Sequence, residues 1–207
     1  MTYDTLSFKQ AIENRRTIYQ ITKKSPISDA RIKEIVETVI KEAPSSFNSQ
    51  STRLVVLIKE DHDKFWQIVE DILKVHVPAD KWEHTANRLA GFKGGYGTIL
   101  FYEDPEPIKK LQTAFAQYAD RFPTWGEHTS AIHQFALWAA LEAEGLGASL
   151  QHYNPLPDQK ASEEWNIPLE WSLKAQLVFG EPAPGARDGI QAKEQQPIDK
   201  RVFFHGF

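Results

Sequence analysis

The sequence has no cysteine and a single methionine. Without thiols there is no disulfide scaffold, no thiolate nucleophile and no cysteine-ligated metal, which fits a reducing cytosol. No apolar run approaches the roughly 20 residues that span a bilayer. The opening Met1-Thr2-Tyr3-Asp4 lacks the charged-then-apolar pattern of a signal peptide. Lys and Arg number 24 against 28 Asp and Glu, so a net charge of -4 provides no basic field for nucleic acid. Several catalytic signatures are missing too. There is no Gly-x-x-x-x-Gly-Lys-Ser/Thr phosphate loop. Gly95-x-Gly97 lacks a third glycine and precedes a strand pattern, against a dinucleotide fold. Gly147-Ala148-Ser149-Leu150-Gln151 fails the nucleophile elbow at its last position. The histidines show no His-Glu-x-x-His pattern, and His128 and His133 lie off the i, i+4 register. The expectation is a cytoplasmic protein with no metal, no membrane segment and no nucleic-acid partner.

What is present suits one globular domain over residues 1–207, with 41% hydrophobic residues. Ser7 and Gln10 form a capping box before a helix whose apolar face is Phe8, Ala11 and Ile12. Ser28 or Asp29 caps a second helix, with Ile32, Ile35, Val36, Val39 and Ile40 in one stripe, stopped by Pro44. The unbroken run from Arg53 to Lys59 predicts a central strand covered on both faces. Helices come next over His62–Val75 and Ala79–Leu89, then a glycine-rich bend from Gly91 to Gly97 and a strand from Thr98 to Tyr102. Glu103-Asp104-Pro105-Glu106-Pro107 reads as a short acidic connector. Helical spacing resumes at Ile108 and breaks at Pro123. From Glu127 to Glu144, large residues (Ile132, Phe135, Leu137, Trp138, Leu141) alternate with alanines in an apolar girdle wide enough for contacts on more than one side. It faces either the core or a dimer partner. Gly145 and Gly147 launch a strand to Tyr153, a short helix ends near Trp165, and another strand runs from Leu173 to Gly180. The tail is extended from Arg201 to His205. Helices alternating with about five strands predict an α+β layered sandwich.

Two basic pairs stand out against the acidic background. Arg15 and Arg16 come just after the first helix and precede Thr17, a ready phosphate clamp of two forked guanidinium groups and a hydroxyl. The bland alternative is a solvated pair suiting a helix C-terminus. Lys200 and Arg201 form the second pair, beside the apolar Val202-Phe203-Phe204. Between a helix and a strand, Pro44-Ser45-Ser46-Phe47-Asn48-Ser49-Gln50 concentrates polar donors. Trp82, Phe92, Tyr96 or Trp125 are either core or the lining of a flat aromatic cleft. Phosphate clamps with no catalytic constellation suit a phosphorylated cofactor that brings its own chemistry.

These stretches, taken in order with Gly94–Phe101, Gly145-Leu146-Gly147 and Leu150–Pro155, resemble the FMN-dependent nitroreductase family, and especially its fungal and bacterial nitroreductase-like subgroup. The resemblance covers essentially the whole chain. It implies a nitroreductase-like sandwich around a mostly antiparallel sheet, and a homodimer with two FMN sites at the subunit interface. By that resemblance Arg15, Arg16 and Thr17 hold the phosphate and ribityl chain, and Lys200 and Arg201 complete the clamp. Pro44, Ser45, Ser46 and Asn48, with Gln50, reach the flavin from the other subunit. Lys93 meets its pyrimidine edge, and Gln151, His152 and Tyr153 flank the ring near N5. The implied activity is ping-pong reduction of nitroaromatic or quinone-like small molecules by NADH or NADPH. No side chain is an obligatory catalyst, His152 being the nearest candidate. The alternatives are FMN chemistry on a different substrate and a flavin-binding sensor of the stress response with little turnover. One departure is visible: many family members follow the glutamine with Pro-Trp, where this chain has Ser51-Thr52 after Gln50.

Overall fold

The computed structural model describes residues 6–207, so the reading of Met1–Asp4 lies outside it. Its centre is a five-stranded antiparallel sheet. β1 (Ile21–Thr22), β3 (Gly97–Glu103) and β4 (Gly147–Gln151) all pair with the long β5 (Ser172–Pro182), and β2 (Thr52–Ile58) pairs with β3. β3 is buried at every position, as a strand flanked on both sides must be. The apolar run at Arg53–Lys59 is a different case. It predicts a central strand, but β2 forms an edge and is only partly covered. The run reports burial by covering helices, and cannot report which strands lie beside it.

Each face of the sheet carries its own core, as the two-residue period of a strand dictates. Ile99 and Phe101 of β3, with Ala175, Leu177 and Phe179 of β5, meet helix α2 (Asp29–Glu42) and helix α6 (Phe122–Ala143). Leu100 and Tyr102, with Leu173 and Val178, meet α3 (Glu60–His76), α4 (Ala79–Lys93) and α7 (Asp158–Trp165). An irregularity between Phe101 and Tyr102 passes over Lys174 of β5, which lets Tyr102 and Leu173 both face the second core. In that core Trp66 Nε1 donates to Thr98 Oγ1 (2.9 Å), and the hydroxyl faces His62 Nδ1 at 2.8 Å. Burial lowers the His62 pKa to about 4, keeping it a neutral structural histidine.

Helix α1 (Phe8–Asn14) starts with the expected capping box, and Ser28 caps α2. The apolar face of α1 is only half realised: Ala11 is buried, whereas Phe8 and Ile12 are exposed. Helix α4 runs on through Gly91, Phe92 and Lys93, so the glycine-rich bend begins only at Gly94. Pro123 does not break a helix. It occupies the first turn of α6, where a missing N–H costs nothing. Asp104 likewise caps α5 (Pro105–Ala114), so the acidic connector belongs to regular structure. The tail after Pro197 makes a short 3-10 turn at Ile198–Lys200 and joins no strand; Val202, Phe203 and Phe204 are exposed.

Helix α6 settles what its girdle is for on one side only. Leu137 and Leu141 are fully buried against the sheet. On the opposite face Ile132 and Phe135 remain 41% and 40% exposed. No helix of the described residues is long and apolar enough to cross a membrane.

Candidate active site

The Arg15–Tyr19 segment is fixed from below. Ile18 is 1% exposed, its N–H donates to the Ala148 carbonyl (3.0 Å), and Thr17 bridges to Ala148 in parallel. Burying that side chain contributes about 1.5–3 kcal/mol. The contact depends on Gly147: a Cβ there would stand 2.9 Å from Ile18 Cγ2. Gly145, at φ 87°, ends α6 in a conformation that favours glycine.

From the side, the segment is held by Glu142. This carboxylate is 7% exposed and accepts the Arg16 backbone N–H at 3.1 and 3.2 Å, Trp138 Nε1 at 2.8 Å and Arg187 Nη2 at 3.3 Å. Burial pushes its pKa up, and the Arg16, Arg187 and Trp138 donors pull it partly back. The Arg15 guanidinium lies over the Trp138 ring, 4.4 Å from its centroid. The backbone turn is therefore fixed by a buried anion, while the Arg15 cationic end rests on Trp138 and is not paired with that anion.

Beyond the segment opens a cavity of about 430 Å³, lined by Tyr19, His84, Asn87, Arg88, Gly91 and Phe92. His84, Asn87, Arg88 and Gly91 fall at i, i+3, i+4 and i+7 of α4, one stripe along the helix. A Cβ on Gly91 would meet no atom within 4 Å, so the space above it is open. Tyr153 borders this region: its ring lies 5.9 Å from that of Phe92. Burial raises the Tyr153 pKa and the Arg88 charge opposes that rise. Tyr153 N–H donates to Gln176 Oε1 (2.7 Å); Gln151 is buried in β4, and His152 is exposed. Lys93 does not line the cavity. Two residues on from Gly91 it has turned by about 200° around the helix, and its amine donates to Gln67 on α3.

The polar loop lies elsewhere. Ser46–Asn48 is a 3-10 turn after Pro44, with Phe47, Asn48 and Gln50 at φ 53°, 53° and 47°. Ser45 Oγ accepts the Gln50 N–H at 3.0 Å. A second cavity of about 350 Å³ lies here, with Ser45, Asn48, Gln50, Thr52, Arg53 and His133 in its wall. Phe47 is half-exposed and packs on α6, stacked on Trp125 with centroids 5.7 Å apart. Within one chain this loop and the Arg15–Thr17 segment address opposite sides of α6. His133 contacts the loop base and Glu142 contacts Arg16. They are nine residues apart, which is two and a half turns and about 13.5 Å along the axis. Lys200 and Arg201 are exposed on the tail, and Arg201 Nη1 donates to Gln195 Oε1 at 3.0 Å.

Of the residues assigned to the flavin none stands in the wall of the first cavity: the Arg15–Thr17 segment leads to it through Tyr19, Tyr153 approaches it through Phe92, and Pro44, Ser45, Ser46, Asn48, Gln50, Lys200 and Arg201 lie elsewhere. Tyr19, Asn87 and Arg88 are candidates that the sequence reading missed. Their only signal was the polar stripe of α4, which also describes an ordinary solvated helix face.

An antiparallel sheet between two helical layers, with the Arg15–Tyr19 segment laid against β4 and Tyr19 in the wall of an open cavity, defines an α+β layered sandwich. Comparison with known proteins narrows this class. Residues 12–181 match the family model described as the nitroreductase family, and the chain belongs to that family. "Putative nitroreductase HBN1" of Saccharomyces cerevisiae is 39% identical over 89% of this chain and 94% of its own. Nitroreductase FRM2 of the same yeast is 34% identical over 86% and 89%. Nitroreductase CinD from Lactococcus lactis, solved in complex with chloramphenicol, is 40% identical with a TM-score of 0.83, covering 96% of this chain and 100% of its own. CinD has also been solved with 4-nitrophenol and with nicotinic acid.

Proposed function

We propose that this chain is an FMN-dependent oxidoreductase of the cytoplasm that passes hydride from NADH or NADPH to nitroaromatic or quinone-like acceptors. The observation that carries the reading is a cavity walled by Tyr19, at the end of the Arg15–Tyr19 segment, and by the Asn87–Arg88 stripe, in a chain of this family. The donor set fits the group. Arg15, Arg16 and Thr17 offer cationic and hydroxyl donors to a phosphate. Asn87 and Arg88 offer N–H donors to the carbonyl-rich edge of a flavin, and Phe92 and Tyr19 offer flat apolar surface. Bound FMN would supply the two-electron hydride chemistry. The side chains bind and orient it, exclude water from one face, and place positive charge where negative charge grows on reduction. Nitro compounds bound to CinD support the acceptor class.

The working unit in this reading is a homodimer. Ser45, Ser46 and Asn48 stand on the far side of α6 from Arg16, so they complete a site only if it is that of a second copy. The exposed Ile132 and Phe135 favour such a partner, because Glu142 lies seven residues past Phe135 on the same helical face. A second chain on that face would abut the Arg15–Arg16 anchor.

The deciding experiment is the visible spectrum of purified protein with added FMN, then anaerobic titration with each nicotinamide. Yellow protein that bleaches on titration is expected; protein that stays colourless in excess FMN overturns the reading. Arg16→Ala should weaken FMN by about 2–5 kcal/mol. His152→Asn should leave stopped-flow flavin reduction within about tenfold of wild type, because hydride transfer needs stacking more than an acid. The shared site has its own test. An Arg16→Ala chain mixed with a Ser46→Trp, Asn48→Trp chain should recover flavin in one of two sites per heterodimer. Colourless heterodimers would place each site within one chain.

A further inference from the structure

The end of β3 is bound to the base of the polar loop more tightly than a strand terminus requires. Glu103, 7% exposed, accepts Ser51 Oγ on Oε2 at 2.6 Å and Thr52 Oγ1 on Oε1 at 2.5 Å. The next residue repeats the pattern one step outward. Asp104 N–H donates to the Ser51 carbonyl at 2.9 Å, and its Oδ2 accepts Arg53 Nη2 at 2.8 Å. Arg53 in turn donates through Nη1 to the Gln50 carbonyl at 2.7 Å, and Gln50 N–H closes onto Ser45 Oγ. A chain of hydrogen bonds therefore runs from Asp104, just past the end of β3, through Arg53 and Gln50 to the first serine of the loop, while Glu103 fixes Ser51 and Thr52 at the loop's base.

The loop needs such support. Three of its residues with side chains, Phe47, Asn48 and Gln50, sit in the left-handed region, which L-residues adopt only when surroundings impose it. The support is also chemically unusual. Among the described residues no cation stands in salt-bridge range of Glu103, and burial raises its pKa, with the Ser51 and Thr52 hydroxyls pulling it partly back, the Glu127 carboxylate adding to the rise and Lys174 opposing it. A buried carboxylate satisfied by two hydroxyls is a poor way to gain stability and a good way to fix two donors in direction. It also gives Ser51-Thr52, the departure from the Pro-Trp pattern of many relatives, a specific task.

We propose that Glu103 and Asp104 are positioning residues that lock the Ser45–Gln50 loop in the conformation that presents Ser45, Ser46 and Asn48 to a flavin. The ligand half of this rests on the proposed function; the loop half does not. Asp104 also caps α5 through the Glu106 N–H (2.9 Å), so Glu103 is the cleaner position to alter.

The test compares wild type, Glu103→Gln and Glu103→Ala in the full chain by hydrogen exchange, thermal unfolding and FMN titration. Glu103→Ala should speed exchange at residues 45–50 at least tenfold while β3 and β5 are unchanged, and weaken FMN at least tenfold. Glu103→Gln, which removes a buried charge but keeps an acceptor, should loosen the loop less, with a Tm at pH 7 no lower than wild type. A merely structural role predicts the opposite order, with Tm falling in step with binding. Should Glu103→Ala fail to fold, Thr52→Val carries the same expectation and Thr52→Ser should restore it. Unchanged loop exchange overturns the proposal. Faster loop exchange with unchanged FMN affinity overturns its ligand half. Wild type that binds no FMN at all defeats the flavin reading, and the exchange arm still decides the loop.

Discussion

Two buried carboxylates hold the two parts of the candidate site, and they are satisfied in opposite ways. Glu142 is surrounded by N–H donors, one of them the Arg187 cation. Glu103 is met by two neutral hydroxyls, and the nearest charge to favour its neutral form is another carboxylate, Glu127. Burial raises both pKa values, yet only at Glu142 does a salt bridge resist it. The anchor under the arginines is therefore built for strength, and the anchor under the polar loop for direction.

The largest test of this contrast is Glu142→Ala. It leaves the Arg187 cation and the Arg16 and Trp138 N–H groups without their acceptor, so it should cost about 3–5 kcal/mol in denaturant unfolding. A loss no greater than that of Glu103→Gln would erase the distinction. Arg187→Ala comes next, at about 1–3 kcal/mol, because Glu142 keeps its other donors. Its sign with pH is fixed. Removing the cation lifts the folded pKa of Glu142 further above its ordinary value. The loss should be small below pH 4.5 and grow as pH rises through the folded pKa. A pH-independent loss would mean that Arg187 acts by packing alone. The smallest effect should be at Glu103. Its raised pKa means that wild type loses stability as pH rises from about 4.5, and Glu103→Gln should flatten that part of the profile. Parallel profiles for the two proteins would place the carboxylate's charge outside the balance.

The elements easiest to read in advance were those whose cause is local. The Ser7–Gln10 capping box and the α2 stripe are short-range patterns, and both form as written. The edge position of β2 was hidden because a covered edge strand and a central strand share one apolar signature. Pro123 was misread because a proline that ends one helix and a proline that opens the next look alike in sequence. In the site, Arg15–Thr17 announced itself as a basic pair in an acidic chain. Glu142 did not, although a lone acid between Leu141 and Ala143 in an apolar helix is a charge that must find partners. Arg88 was missed for the reverse reason: a cation on a polar helix face is ordinary until an opposing surface makes that face a wall. Lys93, matched by motif instead, faces Gln67 of α3 and is not in the cavity wall.

The interval in α6 between His133 and Glu142 sets a condition on length that no residue choice can relax. The two residues face opposite ways only because nine steps of about 100° separate them. Inserting or deleting one residue there would swing one anchor by a quarter turn or more relative to the other and shift it by about 1.5 Å. Leu137 and Leu141 limit which residues this stretch can hold, and the angle between its two anchors limits how many. Homologous helices that keep the same number of residues here are what that geometry demands.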